Sequence, residues 1–330
     1  MNIRNKNIFY NKNFINNFVN KKEFGAITSI IVVFVIFTTI SKDFFSVSGI
    51  TCILTLAAEL GIMSIGVSLL MMSGEFDISV GSVMGFCVFM IVSFTNRGLS
   101  PIFSILFALI ICGLIGVLNG IITVYLKIPS FIATLGAQMF WRGTLLLLTR
   151  GFPLRYEGSM GLMNILGARV WEGLRMQVFW FFGLAILFSI LLTRTSWGNW
   201  TLATGGNEET ARGVGVNTRK VKITNFAICS MMAGFAGAVN IARYLSADPT
   251  FGMQRELEAI ASCVIGGNLL QGGFGTIIGT FIGAILMSSI RTGLILAGID
   301  PYLYFSVTGI VIVIAVIINE KTRGGRDQDE

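Results

Sequence analysis

Ten apolar runs, set apart by short polar stretches, constrain this chain more than any other feature. A helix needs about 20 apolar residues to cross the hydrocarbon core of a bilayer. Runs that meet or approach that length occupy residues 24–40, 51–73, 77–95, 101–126, 130–149, 177–194, 221–244, 255–267, 274–297 and 302–319. The expected fold is an all-α polytopic membrane protein with about ten transmembrane helices, some of them broken or re-entrant. The 255–267 run is short for a span and is expected to be re-entrant or half-buried.

Charge agrees with that class. Only 12% of the 330 residues are charged and 54% are hydrophobic, against roughly a quarter charged in soluble domains. A net charge of +7 would point to nucleic acid in a soluble protein. Here the basic residues stand at the ends of apolar runs, so they read as topology determinants and no nucleic-acid partner is expected.

Residues 1–23 are rich in Asn and Lys and read as a cytoplasmic tail. The 24–40 run follows Lys21 and Lys22, but the SKDFF after it offers no small-x-small cleavage site, so it is expected to remain as the first span. With the N-terminus inside, the tail, Lys127, the 194–222 segment and Lys321, Arg323 and Arg326 fall on the cytoplasmic side. That places 14 of the 24 basic residues inside, as the orientation rule favours, and both termini in the cytoplasm. The expected division is a tail (1–23), a membrane domain (24–319) with a cytoplasmic loop at 195–222, and a C-terminal tail (320–330). The outer loop 150–176 carries Arg150, Arg155, Arg169 and Arg175 against Glu157 and Glu172. A docking surface for a charged partner and a plain solvated loop both suit it.

The stretch from Trp197 to Lys222 is polar and Gly-rich between two long apolar runs. Asn207 suits the N-cap of a short helix, Glu208 and Glu209 its positive first turn, Arg212 its negative end, and Gly213 a left-handed close. Fewer than two turns are marginal in water, so this helix is expected to pack on a partner protein, the alternative being a solvated connector.

GEFDISVGSVMG (Gly74 to Gly85) echoes GNLLQGGFGTIIG (Gly267 to Gly279), and IPSFIATLG (Ile128 to Gly136) pairs loosely with IDPYLYFSVTG (Ile299 to Gly309). Two-fold repeats of broken helices about a central pathway are a transporter pattern. The spacings Gly81/Gly85, Gly116/Gly120 and Gly275/Gly279/Gly283 read as close helix packing. GFGTIIG is no nucleotide fingerprint, because it sits in a membrane run, and the chain has no Gly-Lys pair to make a phosphate loop.

Acids inside apolar runs cost about 2.5 to 3.5 kcal/mol each on insertion scales and usually face a pathway. Glu59, Glu75, Asp77, Glu256 and Glu258 are such residues, with Ser79, Asn119, Gln138, Asn240 and Asn268 as neutral polar companions; these ten are the candidate translocation-pathway residues. Glu75 and Asp77 precede Ser79 at a helix start, so capping explains them equally well. Arg142 and Arg291 are candidates to pair with these acids or to snorkel. The five cysteines lie in apolar runs without CxxC spacing and there is no histidine, so no zinc site, disulfide framework or catalytic constellation is expected.

Four blocks resemble a known family in its own order: GEFDISVGS (Gly74 to Ser82), LNGIITVYLKIPSFIATLG (Leu118 to Gly136), ATGGNEETARGVGVNTRKVK (Ala203 to Lys222), and ELEAIASCVIGG with GGFGTIIGTFIGA (Glu256 to Ala284). The chain is similar to the permease subunits of monosaccharide-type ABC importers, which include ribose, xylose, galactose and autoinducer-2 permeases. The resemblance implies a ten-span permease of the bacterial cytoplasmic (inner) membrane that works in lipid as a homodimer or heterodimer. It also implies a cytoplasmic ATP-binding subunit and an extracytoplasmic sugar-binding protein. No cofactor is expected on this chain, with ATP and Mg2+ on the partner. The segment matching the family's coupling loop assigns Gly205, Gly206, Asn207, Glu208, Glu209, Ala211, Arg212, Gly213 and Gly215 to contact with the ATP-binding subunit. Many members carry Gly or Asn where Glu75 stands, and a Thr-Ser-Leu-type sequence at Asn268, Leu269 and Leu270. An ion-coupled carrier, or an ABC permease for branched-chain amino acids or nucleosides, is the alternative.

Overall fold

The computed structural model describes residues 24–300 and 302–324. The N-terminal tail and residues 325–330 of the C-terminal one lie outside the described residues. Among the described residues, thirteen α-helices and two short ribbons follow in order: α1 (Phe24–Ile40), α2 (Val47–Met72), α3 (Val80–Asn96), α4 (Pro101–Leu126), α5 (Ser130–Thr149), β1 (Leu154–Arg155), α6 (Met160–Gly167), β2 (Arg169–Trp171), β3 (Leu174–Arg175), α7 (Met176–Arg194), α8 (Ser196–Gly206), α9 (Glu208–Gly213), α10 (Thr218–Tyr244), β4 (Ser246–Ala247), α11 (Arg255–Ile265), α12 (Ile277–Leu296) and α13 (Leu303–Gly324). The chain is an all-α polytopic membrane protein. Among the described residues six helices, α2, α4, α5, α7, α10 and α12, are long and apolar enough to cross a bilayer, and shorter apolar helices span Ile27–Ile40, Val80–Asn96 and Leu303–Ile314.

Local chemistry sets the ends of these helices. Ser46 accepts from Gly49 N (3.1 Å) at the start of α2, and Thr276 from Gly279 N (2.9 Å) at the start of α12, each filling an orphan donor of the first turn. Pro101 opens α4, where its missing N–H costs nothing. α11 has 11 residues, too few to span, as its short apolar run suggests. The last helix continues to Gly324, past the boundary expected at residue 319.

α2 is the central post. It is buried over 89% of its apolar window, whereas α5 is buried over 11% and lies at the periphery. α10 packs along α4, α2 and α3, and α12 packs on α2 and α11. The expected close packing is present: a Cβ at Gly116 would fall on the carbonyl oxygen of Phe226, and one at Gly120 would lie 3.0 Å from the Ile223 Cα. Small residues at this spacing let α4 and α10 approach backbone to backbone.

The internal repeat has a spatial counterpart. α2, segment 74–79 and α3 form one broken pair, and α11, segment 266–276 and α12 form the other. The two breaks meet, with Gly273 N donating to Met72 O (2.9 Å) and a Cβ at Gly272 2.8 Å from the Gly74 Cα. The second pair of repeat motifs falls at the starts of α5 and α13. Loop 150–176 is more ordered than expected: β1 pairs antiparallel with β4, β2 with β3, and α6 lies between them.

Candidate functional site: an exposed short helix beside two broken helices

The polar stretch folds as two helices, although the sequence suggested one. α8 was missed because its Gly and Asn content hides it; the available sign was Thr195, which caps the helix by accepting from Gly198 N (3.3 Å). α9 forms where expected. Asn207 Oδ1 accepts from Thr210 N (2.9 Å), Glu208 and Glu209 occupy the first turn and Arg212 the last. Its closure is corrected: Gly213 is the last helical residue, and the left-handed position is Gly215 (φ 91°). Gly215 N donates to Arg212 O (2.9 Å) and Val216 N to Ala211 O (3.0 Å). This is the paired-bond close that a left-handed glycine permits.

α9 rests on the body through Ala211, which is buried. Outward it presents Glu209, Arg212, Gly213, Gly215 and Val214, the last 76% exposed. Beside it an open cleft of about 380 Å³ is lined by Arg212, Gly215, Val216, Asn217, Thr218 and Arg219. Beneath, Gly205 lies against backbone. A Cβ there would fall on Met72 O and stand 2.6 Å from Gly273 N, so α8 is seated on both breaks at once. Gly206 joins this contact, since a Cβ on Gly273 would come 2.5 Å from the Gly206 Cα.

Ion pairs tie the segment down. Lys222 Nζ lies 2.7 Å from both Glu75 Oε1 and Glu208 Oε2. Thr218 donates to Glu208 Oε1 (3.1 Å), and Arg212 pairs with the same oxygen. Burial would raise the Glu208 pKa, but Lys222, Thr218 and Arg212 together hold it below its ordinary 4.5. Thr218 and Lys222 were not singled out from sequence. Both lie inside the quoted polar stretch, and a cation one turn into an apolar helix was the sign.

The remaining candidates fall into separate clusters. Asp77, Ser79 and Asn119 come together: Asp77 Oδ1 accepts from Ser79 N (2.8 Å) and Ser79 Oγ (2.5 Å), while Asn119 Nδ2 reaches Ser79 Oγ (3.0 Å) and Asp77 Oδ2 (3.4 Å). α5 completes the break, with Ser130 Oγ accepting from Phe76 N (3.2 Å) and Thr134 Oγ1 from Ile78 N (3.1 Å). Asn268 occupies the second break and bonds Ser68 Oγ (2.6 Å), Thr280 Oγ1 (3.0 Å) and Thr276 N (3.0 Å). Gln138 Nε2 donates to Glu256 Oε1 (2.7 Å), and Glu256 Oε2 is buried without a hydrogen-bond partner among the described residues. Asn240 is buried with its Oδ1 likewise unpartnered. Glu59 pairs with Arg243 (2.9 Å) and Glu258 with Arg255 (2.9 Å), with Arg291 3.9 Å from Glu258. Arg142 holds three carbonyls, those of Pro249 (2.7 Å), Phe251 (3.0 Å) and Gly81 (3.2 Å), while its charge acts on Glu256.

Residues 49–316 match the family described as branched-chain amino acid transport system / permease component. The chain is 32% identical over 299 residues to the ribose import permease protein RbsC of Escherichia coli K12, covering 90% of this chain and 93% of that one. It is 32% identical over 305 residues to the autoinducer 2 import system permease protein LsrC of Photorhabdus laumondii, covering 92% and 91%. The Salmonella typhi LsrC is 33% identical over 304 residues, covering 92% and 87%. No solved structure matches the chain.

Proposed function

The chain belongs to the branched-chain amino acid transport system / permease component family, and from that premise we propose that it is the membrane subunit of an ATP-driven importer for a monosaccharide or similar small polyol. Its role is transport rather than catalysis, a reading supported by the import permeases that it resembles along nearly its whole length. The observation that carries the ATP-driven part is α9. A six-residue helix, capped at both ends, stands out from the body with its small and charged residues exposed, and it follows directly on α8, which is seated on both broken helices. Such a helix suits a partner that pushes on it.

That partner is an ATP-binding subunit, which carries ATP and Mg2+ itself. Gly205, Gly206, Asn207, Glu208, Glu209, Ala211, Arg212, Gly213 and Gly215 form or shape the contact. A second permease copy and an extracytoplasmic sugar-binding protein complete the importer in the inner membrane, with both termini cytoplasmic. For the pathway, the unpartnered oxygens of Glu256 and Asn240, with Gln138 beside Glu256, offer weak hydrogen bonds to neutral hydroxyls. Asp77, Ser79, Asn119 and Asn268 fix the breaks that frame it, and Glu59, Glu75 and Glu258 bear on it through their ion pairs.

Reconstitution tests this. The chain is purified with its ATP-binding subunit, placed in proteoliposomes, and supplied with a loaded sugar-binding protein. Uptake that requires ATP supports the reading. Uptake driven by an ion gradient through this chain alone would replace it with an ion-coupled carrier, and competition by branched-chain amino acids or nucleosides would change the substrate class.

A further inference from the structure

We propose that Glu75 and Lys222 are positioning residues that transmit movement of the coupling helix to the first broken helix. The inference rests on the coupling role proposed for α9. An unbroken polar chain leads inward from the surface: Arg212, half exposed, pairs with Glu208 and donates from Nε to Thr218 Oγ1 (2.9 Å). Thr218 donates to Glu208. The other Glu208 oxygen is 2.7 Å from Lys222 Nζ, which is 2.7 Å from Glu75. The side chains of Lys222 and Glu75 are only 12% and 13% exposed, so water screens this part of the chain little.

Glu75 belongs to segment 74–79, and what it pulls on is defined. Two residues later Asp77 is held by Ser79, Asn119 and Ser230, which ties the segment to α4 and α10. Glu75 N itself donates to Leu70 O (3.3 Å) at the end of α2. A single ammonium shared between two carboxylates, one on α9 and one on the break, makes the two elements neighbours through charge. Otherwise α9 is tied to the body by the hydrogen bond from Thr218 to Glu208 and by the burial of Ala211, whose single methyl group holds little against withdrawal. The ion pairs supply the tension. An outward shift of α9 therefore draws Lys222 and Glu75 with it, and the start of α3 follows.

The test uses the full complex in proteoliposomes and reads two quantities, substrate moved per ATP hydrolysed and retention of the ATP-binding subunit. Glu75→Gln is expected to keep the subunit bound and to lower substrate moved per ATP by about fivefold or more, the lower end of ordinary coupling strengths. Lys222→Arg, which keeps the charge, should recover most of the ratio, and Glu75→Asp part of it. Because one network is involved, Glu75→Gln with Glu208→Gln should lose no more than the worse single variant. A wild-type ratio in Glu75→Gln, additive losses in the pair, or no recovery by either charge-keeping variant would each overturn the proposal. A wild-type chain that neither binds an ATP-binding subunit nor responds to ATP would instead remove the functional reading itself.

Discussion

Arg243 Nη1 lies 2.9 Å from Glu59 Oε1, joining α10 to the middle of α2 across 184 positions of sequence. The pair is asymmetric. The Glu59 side chain is 1% exposed and its Oε2 has no hydrogen-bond partner among the described residues, whereas Arg243 is 24% exposed and also lies over the Tyr244 ring at 5.0 Å. Removing the arginine takes the hydrogen-bonded counter-ion from a buried carboxylate and leaves it only the more remote charges of Arg175 and Arg255; the loss of such a partner costs about 3–5 kcal/mol in comparable buried pairs. Arg243→Met should therefore lower the thermal midpoint in detergent far more than Glu59→Gln, which leaves a neutral amide and a cation that can turn to water. Equal losses would show that the pair acts through geometry alone.

How much of this was legible in the sequence depends on the range of the interaction. The bounds of α4 and α5 are those of their apolar runs, because hydrophobic length and a flanking proline are local properties. The N-cap at Asn207 was legible for the same reason. The Glu59–Arg243 and Glu75–Lys222 pairs were not, since partners 184 and 147 residues apart leave no periodic trace. Arg142 is a mixed case: it was expected to pair with one of the buried acids or to snorkel, and its charge does act on Glu256, but its hydrogen bonds go to carbonyls of the 249–251 turn and Gly81. Gly213 and Gly215 are both plausible helix closers by residue type, and only the bond pattern separates them.

The caps of α9 set how often it frays. Asn207→Ala removes the bond to Thr210 N and should cost about 1 kcal/mol of helix stability. Gly215→Ala puts a Cβ on a φ of 91° and should cost about 1–2 kcal/mol. Hydrogen exchange of residues 208–216 reads both. Faster exchange confined to that segment is expected, with the rest of the protein unchanged.

Protonation of Glu208 should loosen the same helix. A carboxylate whose pKa is depressed on folding contributes stability that is complete above its ordinary value and is lost as pH falls through the folded value. For Glu208 the docking is thus constant above about pH 4.5 and weakens below it, where Lys222 and Arg212 lose a counter-charge. Limited proteolysis at Arg212 and Arg219 between pH 7 and pH 4 checks this. Cleavage should rise only toward the acid end, and Glu208→Gln should raise it at both ends and flatten the dependence.

Glu256 offers a way to separate the proposed pathway from the proposed coupling contact. Gln138 satisfies its Oε1 from α5, a helix with little burial of its own. Replacing Gln138 with Leu removes a neutral donor without touching α9. Transport should fall while association with the ATP-binding subunit stays at the wild-type level. Loss of both together would argue that α5 is a structural support and not a wall of the pathway.

Gly205 and Gly213 make the sharpest contrast between seat and surface. Both are helical, so replacing either with Ala should favour the helix by about 0.8–1 kcal/mol if nothing else intervened. At Gly213 nothing lies within 4 Å of the added Cβ. Gly213→Ala should be neutral or slightly stabilising for the free permease, and any defect it shows must arise in contact with a partner. At Gly205 the same methyl meets the Met72 carbonyl and the Gly273 amide, which already bond each other at 2.9 Å. Backbone cannot rotate away as a side chain does, so α8 must lift from the breaks or the Gly273–Met72 bond must open. Gly205→Ala should lower the thermal midpoint of the isolated chain and, in the assembled importer, leave ATP hydrolysis unresponsive to the loaded binding protein. A midpoint equal to wild type would mean that α8 is not seated on the two breaks in the membrane.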